Sequence, residues 1–340
     1  MKIKERLKKD HKVYAIATIA RCLKSKELCD KIWGINNDPL QNTIIEKGAK
    51  NQGCVVYDLY LDHDSLGFFG LIRWLCGGLI FAERFGYKVS MSVSKNCLYY
   101  DAEYSEIDNP LEYYFDLSDL VSKEELDNSQ NVLRFASKHL LLCDLYYEDR
   151  GSVEQYAKVW KKYFVLKEEI ASQIYSGINR ILGNKKTIGV HYRGTDYKAG
   201  YRNHPIAVNI DETIEAVKKV LQSGEYEKIF VATDEQNAIN RFRIEFGDMI
   251  ATYDDTLRSE DGNAVHTSDN CRRNHKFLLG FEVLRDVMTL SACDALIAGH
   301  SNVSAFADVI KTANNERYEY FHIINKGKNK TGKVYKRPLK

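Results

Sequence analysis

The sequence predicts an α/β chain whose second half is a parallel sheet with helices on both faces. Three observations carry this. From residue 186 onward, short apolar runs alternate with segments of helical apolar spacing. The joints between them hold Gly, Asp and Ser, which end and start helices. The polar residues with chemical reach fall directly after predicted strands, at Arg193, Asp234 and Ser301. In a parallel sheet those places share the carboxyl edge, where ligands bind.

The elements follow in order. Cys54–Leu61 reads as a strand, Phe68–Phe85 as a helix ending at Gly86, and Lys88–Val93 as a second strand. Residues 153–182 keep apolar positions at helical spacing up to Gly183. Thr187–His191 is the first strand of the regular half. Asp211 caps a helix whose apolar face is Ile214, Val217 and Leu221. Lys228–Thr233 is a strand, Asp234 begins a helix that Gly247 ends, and Met249–Tyr253 is a short strand. A long helix His275–Cys293, a strand Ala295–Ala298 and a helix Asn302–Ile310 complete the pattern. The expected domains are 1–183 and 184–325, joined near Gly183–Lys186, with a basic tail over 326–340.

Composition excludes several classes. The chain has 340 residues, 49 Lys+Arg and 47 Asp+Glu, a net charge of +2. That balance fits neither a generally basic nucleic-acid binder nor a disordered acidic chain. At about 100–200 residues per domain, two domains are the default. The eight cysteines (Cys22, Cys29, Cys54, Cys76, Cys97, Cys143, Cys271, Cys293) include no CxxC pair and no compact Cys/His cluster. A zinc site is not expected, and scattered reduced thiols suit a cytoplasmic protein. The apolar stretch Phe68–Ala82 is interrupted by Arg73 and falls short of the ~20 residues of a membrane helix. A basic segment to Lys12 and an apolar one, Val13–Ala20, imitate a signal peptide, but Arg21 follows and no small-residue cleavage site is evident.

Three polar clusters meet at the predicted carboxyl edge: His191-Tyr-Arg-Gly-Thr-Asp196, Asp234-Glu235 and Gly299-His-Ser-Asn-Val-Ser304. Arg193 suits an anion, because a planar guanidinium pairs two phosphate oxygens at once; a surface ion pair is the plainer reading. Ser301, Asn302 and Ser304 open a helix, whose N–H groups and dipole favour phosphate; simple capping is the alternative. Together they read as a diphosphate site. Asp286 and Asp234 suit donors on a purine base or on ribose hydroxyls, although Asp234 also fits a helix cap.

Other motifs are set aside. No GxGxxG and no GxxxxGK[ST] is present. Gly299-His-Ser-Asn-Val303 has a nucleophile-elbow form but lacks the second glycine, and fewer than 40 residues remain for the other triad members. Asp62-His-Asp64 has the form of a metal-binding DxD, two carboxylates at a common spacing. Asn302-Val-Ser304 and Asn329-Lys-Thr331 are glycosylation sequons by pattern only.

His191-Tyr-Arg-Gly-Thr-Asp-Tyr197 resembles the HxRRxD motif of the α1,2-, α1,6- and protein-O-fucosyltransferase superfamily. Phe230-Val-Ala-Thr-Asp234 looks like its "ATD" strand end. Gly280–Asp294, followed by Ser301-Asn-Val-Ser304, looks like its third motif. The resemblance is nearest to the α1,6- and nodulation-fucosyltransferase branch and covers about 120 residues in the right order. In the first half, Gly67-Phe68-Phe69-Gly70 and Asn109-Pro-Leu-Glu-Tyr-Tyr-Phe115 resemble bacterial relatives.

The resemblance implies a GT-B arrangement, two Rossmann-like domains facing each other across a cleft, with the sugar nucleotide on the C-terminal one. It implies GDP-fucose as the usual donor, no required metal or other cofactor, and inversion at the anomeric carbon; Gly194 and Tyr197 leave a different sugar nucleotide on the same scaffold as the alternative, and a nucleotide- or glycan-binding protein without turnover is the second. It places Arg193 at the β-phosphate, His191 and Asp286 by the guanine, and Ser301–Ser304 at phosphate; Asp234 is expected on the nucleotide-sugar side from its own place after a predicted strand. Asp62, Asp64 and Phe68 fall on the acceptor side. The second arginine of the motif is Gly194 here, and a Lys and a Glu of the α1,6 branch correspond to Tyr197 and Tyr201. Candidates for the base are Asp62, Asp64, Asp196 and His204. The expected acceptor is a bacterial surface glycan or lipid-linked glycan. Lys326–Lys340 carries seven Lys/Arg and no acid, which suits a peripheral contact with the anionic inner face of the cytoplasmic membrane.

Overall fold

The computed structural model describes residues 44–194, 204–260 and 272–332, together with Val13, Gly200, Arg202 and Val265. Apart from Val13, the signal-like N-terminal stretch lies outside the described residues, as do Cys22, Cys29, Asp196, Tyr197, Tyr201, Cys271 and the tail from 333.

The first-half strands are β1 (Ile44–Ile45), β2 (Val56–Leu61), β3 (Lys88–Val93), β4 (Phe115–Asp116), β5 (Val132–Arg134) and β6 (Val165–Leu166). The second-half strands are β7 (Thr187–Tyr192), β8 (Lys228–Thr233), β9 (Ile250–Ala251), β10 (Ala295–Gly299) and β11 (Tyr320–Ile324). The chain divides into two compact units. One is Met1–Cys97 with Ile107–Val165; the other is Leu98–Glu106 with Leu166–Lys340.

In the first unit a four-stranded sheet has the order β1-β5-β2-β3. β2 runs parallel to β3 and β5, and β1 antiparallel to β5. The helix Phe68–Phe85 spans the predicted residues and stops where Gly86 turns left-handed, with φ 66°. It buries Ile72, Leu75 and Leu79 completely.

The continuous helix expected over 153–182 is instead two helices, Arg150–Tyr163 and Glu168–Leu182. Phe164 leaves helical geometry and turns its ring into the core, 5.1 Å from Trp160 and 5.2 Å from Phe115. Apolar spacing persists through this break, so periodicity alone reads straight across it. The second of these helices belongs to the second unit, whereas a boundary at 183 puts it in the first. Lys228 of β8 caps its last carbonyls at Ile181 and Leu182, and Gly177 on it meets the Tyr253 ring.

In the second unit all five strands are parallel, in the order β11-β10-β7-β8-β9. This is the Rossmann order, in which the direction of winding reverses between β7 and β10. Alternate residues of β7 point to opposite faces. Ile188, Val190 and Tyr192 join Ile214, Val217, Ile239 and Phe242 from the helices Ile210–Leu221 and Gln236–Phe246 in one core. Gly189 faces the other way and lets the helix His275–Ala292 approach closely; a Cβ there would lie 3.2 Å from Cys293 and Leu290.

Two expected caps differ. Asn209, not Asp211, opens the helix Ile210–Leu221: its Oδ1 accepts the Asp211 N–H at 3.1 Å, and Glu212 reaches back to the Asn209 N–H at 3.0 Å. The reciprocal bond makes Asn209 the better cap. The helix after β8 begins at Gln236, with no side-chain cap, because Asp234 is engaged elsewhere. The strand expected over 249–253 is only Ile250–Ala251.

Leu98–Glu106 is an excursion of the first half that belongs to the second unit. Asp101 Oδ2 accepts the N–H groups of Lys276 and Phe277 at 3.0 and 3.2 Å, and Tyr104 stacks on Phe277 at 3.7 Å. The long helix His275–Ala292 is thus capped by a carboxylate distant in sequence. The start of the basic tail is held: Lys326 pairs with Glu212 at 2.9 Å, and Gly327 and Asn329 bond the backbone of Ile206 and His204. No described helix is long and apolar enough to cross a membrane.

Candidate functional site

The winding reversal between β7 and β10 brings three of the predicted clusters together. β7 delivers His191, and Arg193 and Gly194 follow it. β8 ends at Thr233, so Asp234 and Glu235 stand beside them. β10 ends at Gly299, and the helix Asn302–Ala313 starts at once.

The turn after β10 is closed by its own serines. Ser301 Oγ accepts the Ser304 N–H at 3.1 Å, Ser304 Oγ accepts the Ser301 N–H at 3.1 Å, and Ser304 Oγ donates to Gly299 O at 2.9 Å. Both hydroxyls are therefore engaged within the turn. What the turn directs outward is the positive end of a three-turn helix. Asn302 occupies its first position and is half-buried.

His191 is 7 % exposed, and its Nδ1 lies 3.3 Å from Ser301 Oγ. Burial, helped by the Arg193 charge and opposed by Asp234, pushes its pKa down to about 4. The ring is neutral near pH 7 and does not repel a cation beside it. A neutral ring carries one proton, and its Nδ1 is within hydrogen-bond reach of the Ser301 hydroxyl.

Asp234 does not cap the helix that follows it. Its Oδ1 accepts the Gly194 N–H at 3.1 Å, tying the end of β8 to the residue after Arg193. Glu235 is 6 % exposed, and its carboxyl group fills the space a Cβ on residue 194 would need. Burial pushes the Tyr192 phenol up to about 12, and the carboxylates of Glu235 and Asp234 add to the shift.

The crevice between these elements is lined by His191, Arg193, Ile206, Val208, Gly299, His300 and Ser301. Its volume of about 10 Å³ leaves room for a water at most. Ile206 and Val208 belong to the segment tied to Gly327 and Asn329. Val208 lies over Gly299, where a Cβ would be 3.1 Å from its methyl. His204, a candidate base, sits on this same segment, its carbonyl accepting the Asn329 N–H at 2.9 Å.

Asp286 belongs to a second group, at the end of β9. Arg285 forms two hydrogen bonds to Asp255, at 2.9 and 2.7 Å, and its guanidinium lies 3.8 Å over the Tyr253 ring. Arg258 donates to Thr252 Oγ1 and Tyr253 O at 2.6 and 2.8 Å. Among these cations Asp286 is still pushed up to about 7, because burial outweighs Arg285 and Arg258.

The acceptor-side candidates lie in the first unit. Asp62 and Asp64 are exposed just past β2, and Asp62 accepts from Asn96 at 3.2 Å. Phe68 is 3 % exposed and packs edge-on against Tyr114 at 5.2 Å; it is a core residue, because it opens the buried face of the helix Phe68–Phe85. No group of three or more potential metal ligands occurs among the described residues.

Sequence reasoning passed over Ile206, Val208 and His300. His300 stands inside a quoted motif and could have been found there. Ile206 and Val208 carry no signal, because only the tertiary path of their segment brings them over Gly299.

No family model and no curated protein matches the chain. Solved structures are similar to it. NodZ α-1,6-fucosyltransferase soaked with GDP-fucose is 14 % identical, with a TM-score of 0.46 over 76 % of this chain and 92 % of that one. The fucosyltransferase NodZ from Bradyrhizobium is 12 % identical, with a TM-score of 0.45 over 75 % and 92 %. The apo form of POFUT1 is 10 % identical, with a TM-score of 0.49 over 81 % and 99 %.

Proposed function

We propose that the chain is an inverting glycosyltransferase that moves fucose from GDP-fucose to a hydroxyl of a bacterial surface glycan or glycolipid. The observation that carries this reading is the meeting of Arg193, neutral His191 and the Ser301 helix start at the winding reversal. A guanidinium and a helix N-terminus side by side form a diphosphate site. The sugar assigned to that diphosphate, and the guanine, come from the motif resemblance.

In the reaction the acceptor oxygen attacks the anomeric carbon from the face opposite the phosphate. The bond from that carbon to the β-phosphate oxygen breaks, and GDP leaves with the electron pair. Arg193 and the helix start neutralise the leaving group while the sugar carries oxocarbenium-like charge. That stabilisation is the larger share of the rate. The acceptor proton passes to a base, which contributes about 10²–10⁴-fold. Asp62, Asp64, Asp196 and His204 are the candidates. Asp286 takes donors of the purine base. The basic stretch from Lys326 supports contact with anionic lipid, which vesicle co-sedimentation with and without the tail tests.

The deciding experiment is calorimetric titration with GDP, UDP, CMP and ADP, then their sugar nucleotides, in EDTA. Selective GDP binding is expected. Arg193→Ala is expected to lose about 10²-fold or more in transfer and to keep its melting temperature. Selective binding of another nucleotide replaces the donor and keeps the site. Binding of none defeats the reading.

A further inference from the structure

Asp234 and Glu235 leave β8 together, and both engage the backbone of Gly194. Asp234 takes its N–H at 3.1 Å. Glu235 occupies the place a side chain would take: a Cβ built on residue 194 overlaps its carboxyl carbon and both oxygens. The acid is anchored from its own backbone outward. Its N–H donates to Thr233 Oγ1 at 3.2 Å, it pairs in a parallel bridge with Ser259, and the next N–H, of Gln236, donates to Ser259 O at 2.9 Å.

The residue so clamped directly follows Arg193. We propose that Glu235 is a positioning residue for Arg193, and that residue 194 is glycine so that the carboxylate can reach the backbone there. A long guanidinium side chain meets a diphosphate bidentately only when its Cα is fixed, since each free torsion above it costs binding entropy. Asp234 holds the N–H after Arg193, and Glu235 packs its carboxyl group against the Cα beside it. A side chain at 194 would have to displace the Glu235 carboxyl group from that place. The inference rests on the reading of Arg193 as the diphosphate ligand.

GDP titration of the wild type, Arg193→Ala, Gly194→Ala, Glu235→Ala, Glu235→Gln and the double variant Arg193→Ala/Glu235→Ala tests it, with melting temperature read alongside. Gly194→Ala keeps the acid but displaces it; Glu235→Ala removes it. Each is expected to weaken GDP binding about 10-fold or more at a near-native melting temperature. Glu235→Gln, which keeps the volume, is expected to retain more affinity than Glu235→Ala. With Arg193 already absent, Glu235→Ala is expected to change affinity by less than about 2-fold, as coupled residues do. Unchanged GDP affinity in Glu235→Ala and Gly194→Ala overturns the proposal alone. So does an equal loss with and without Arg193, because that is a purely structural acid. A wild type that binds no GDP overturns this inference and the diphosphate reading together.

Discussion

His191 Nδ1 and Ser301 Oγ lie 3.3 Å apart, which joins the end of strand β7 to the cap of the helix Asn302–Ala313. The same hydroxyl accepts the Ser304 N–H, so one atom closes the helix start and holds the ring. Neutral His191 is built into this junction.

This sets a pH dependence. The folded pKa of His191 is about 4, below the ordinary 6.5. Between those values the unfolded chain binds the proton more readily. The stability from this group is therefore complete above pH 6.5 and is lost as pH falls toward 4, by up to about 3 kcal/mol. Urea unfolding of wild type and His191→Asn from pH 4 to 7 should show a steeper loss in the wild type. Parallel curves would remove His191 from the balance.

Asp286 acts in the opposite sense. Its pKa is raised from 3.8 to about 7, so the native state holds the proton that the unfolded chain releases. Its stability contribution is complete below pH 3.8 and declines as pH rises to 7. Asp286→Asn is expected to be more stable than the wild type at pH 8, by more than about 1 kcal/mol, while binding GDP more weakly. An asparagine variant no more stable at pH 8 would show that the carboxylate is compensated there.

Asp101 caps a helix to which it is not adjacent in sequence, through the N–H groups of Lys276 and Phe277. Asp101→Ala is expected to cost about 1 kcal/mol and to raise hydrogen exchange over 98–106 and 275–278 together. Exchange that rises in only one of these segments would mean that Tyr104 on Phe277 holds the excursion without the cap.

Much of the second unit was legible because its central strands β7, β8 and β10 are short, almost wholly buried apolar runs. Lys228–Thr233 was read to the residue, as was Phe68–Phe85 in the first unit. Gly86 and Gly247 stopped helices where expected, at φ 66° and 55°. The ladder partners β5 and β11 were missed: Val132–Arg134 is too short to show a period, and Tyr320–Ile324 is an edge strand with polar and exposed residues. Asp211 and Asp234 fit the expected cap at their positions. Asn209 prevailed at one through a reciprocal bond with Glu212, and the Gly194 N–H claimed Asp234 at the other.

Local sequence by itself determined the alternation of strands and helices and the placement of Arg193, Asp234 and Ser301 at strand ends, because hydrophobic period and cap chemistry act within a few residues. Only the tertiary structure decided what those strand ends do. Strand order put the winding reversal between β7 and β10, which set His191 against Ser301. The neighbouring β8 placed Glu235 where residue 194 has no side chain. Neither relationship is encoded locally, since each joins residues whose proximity exists only once the sheet has formed.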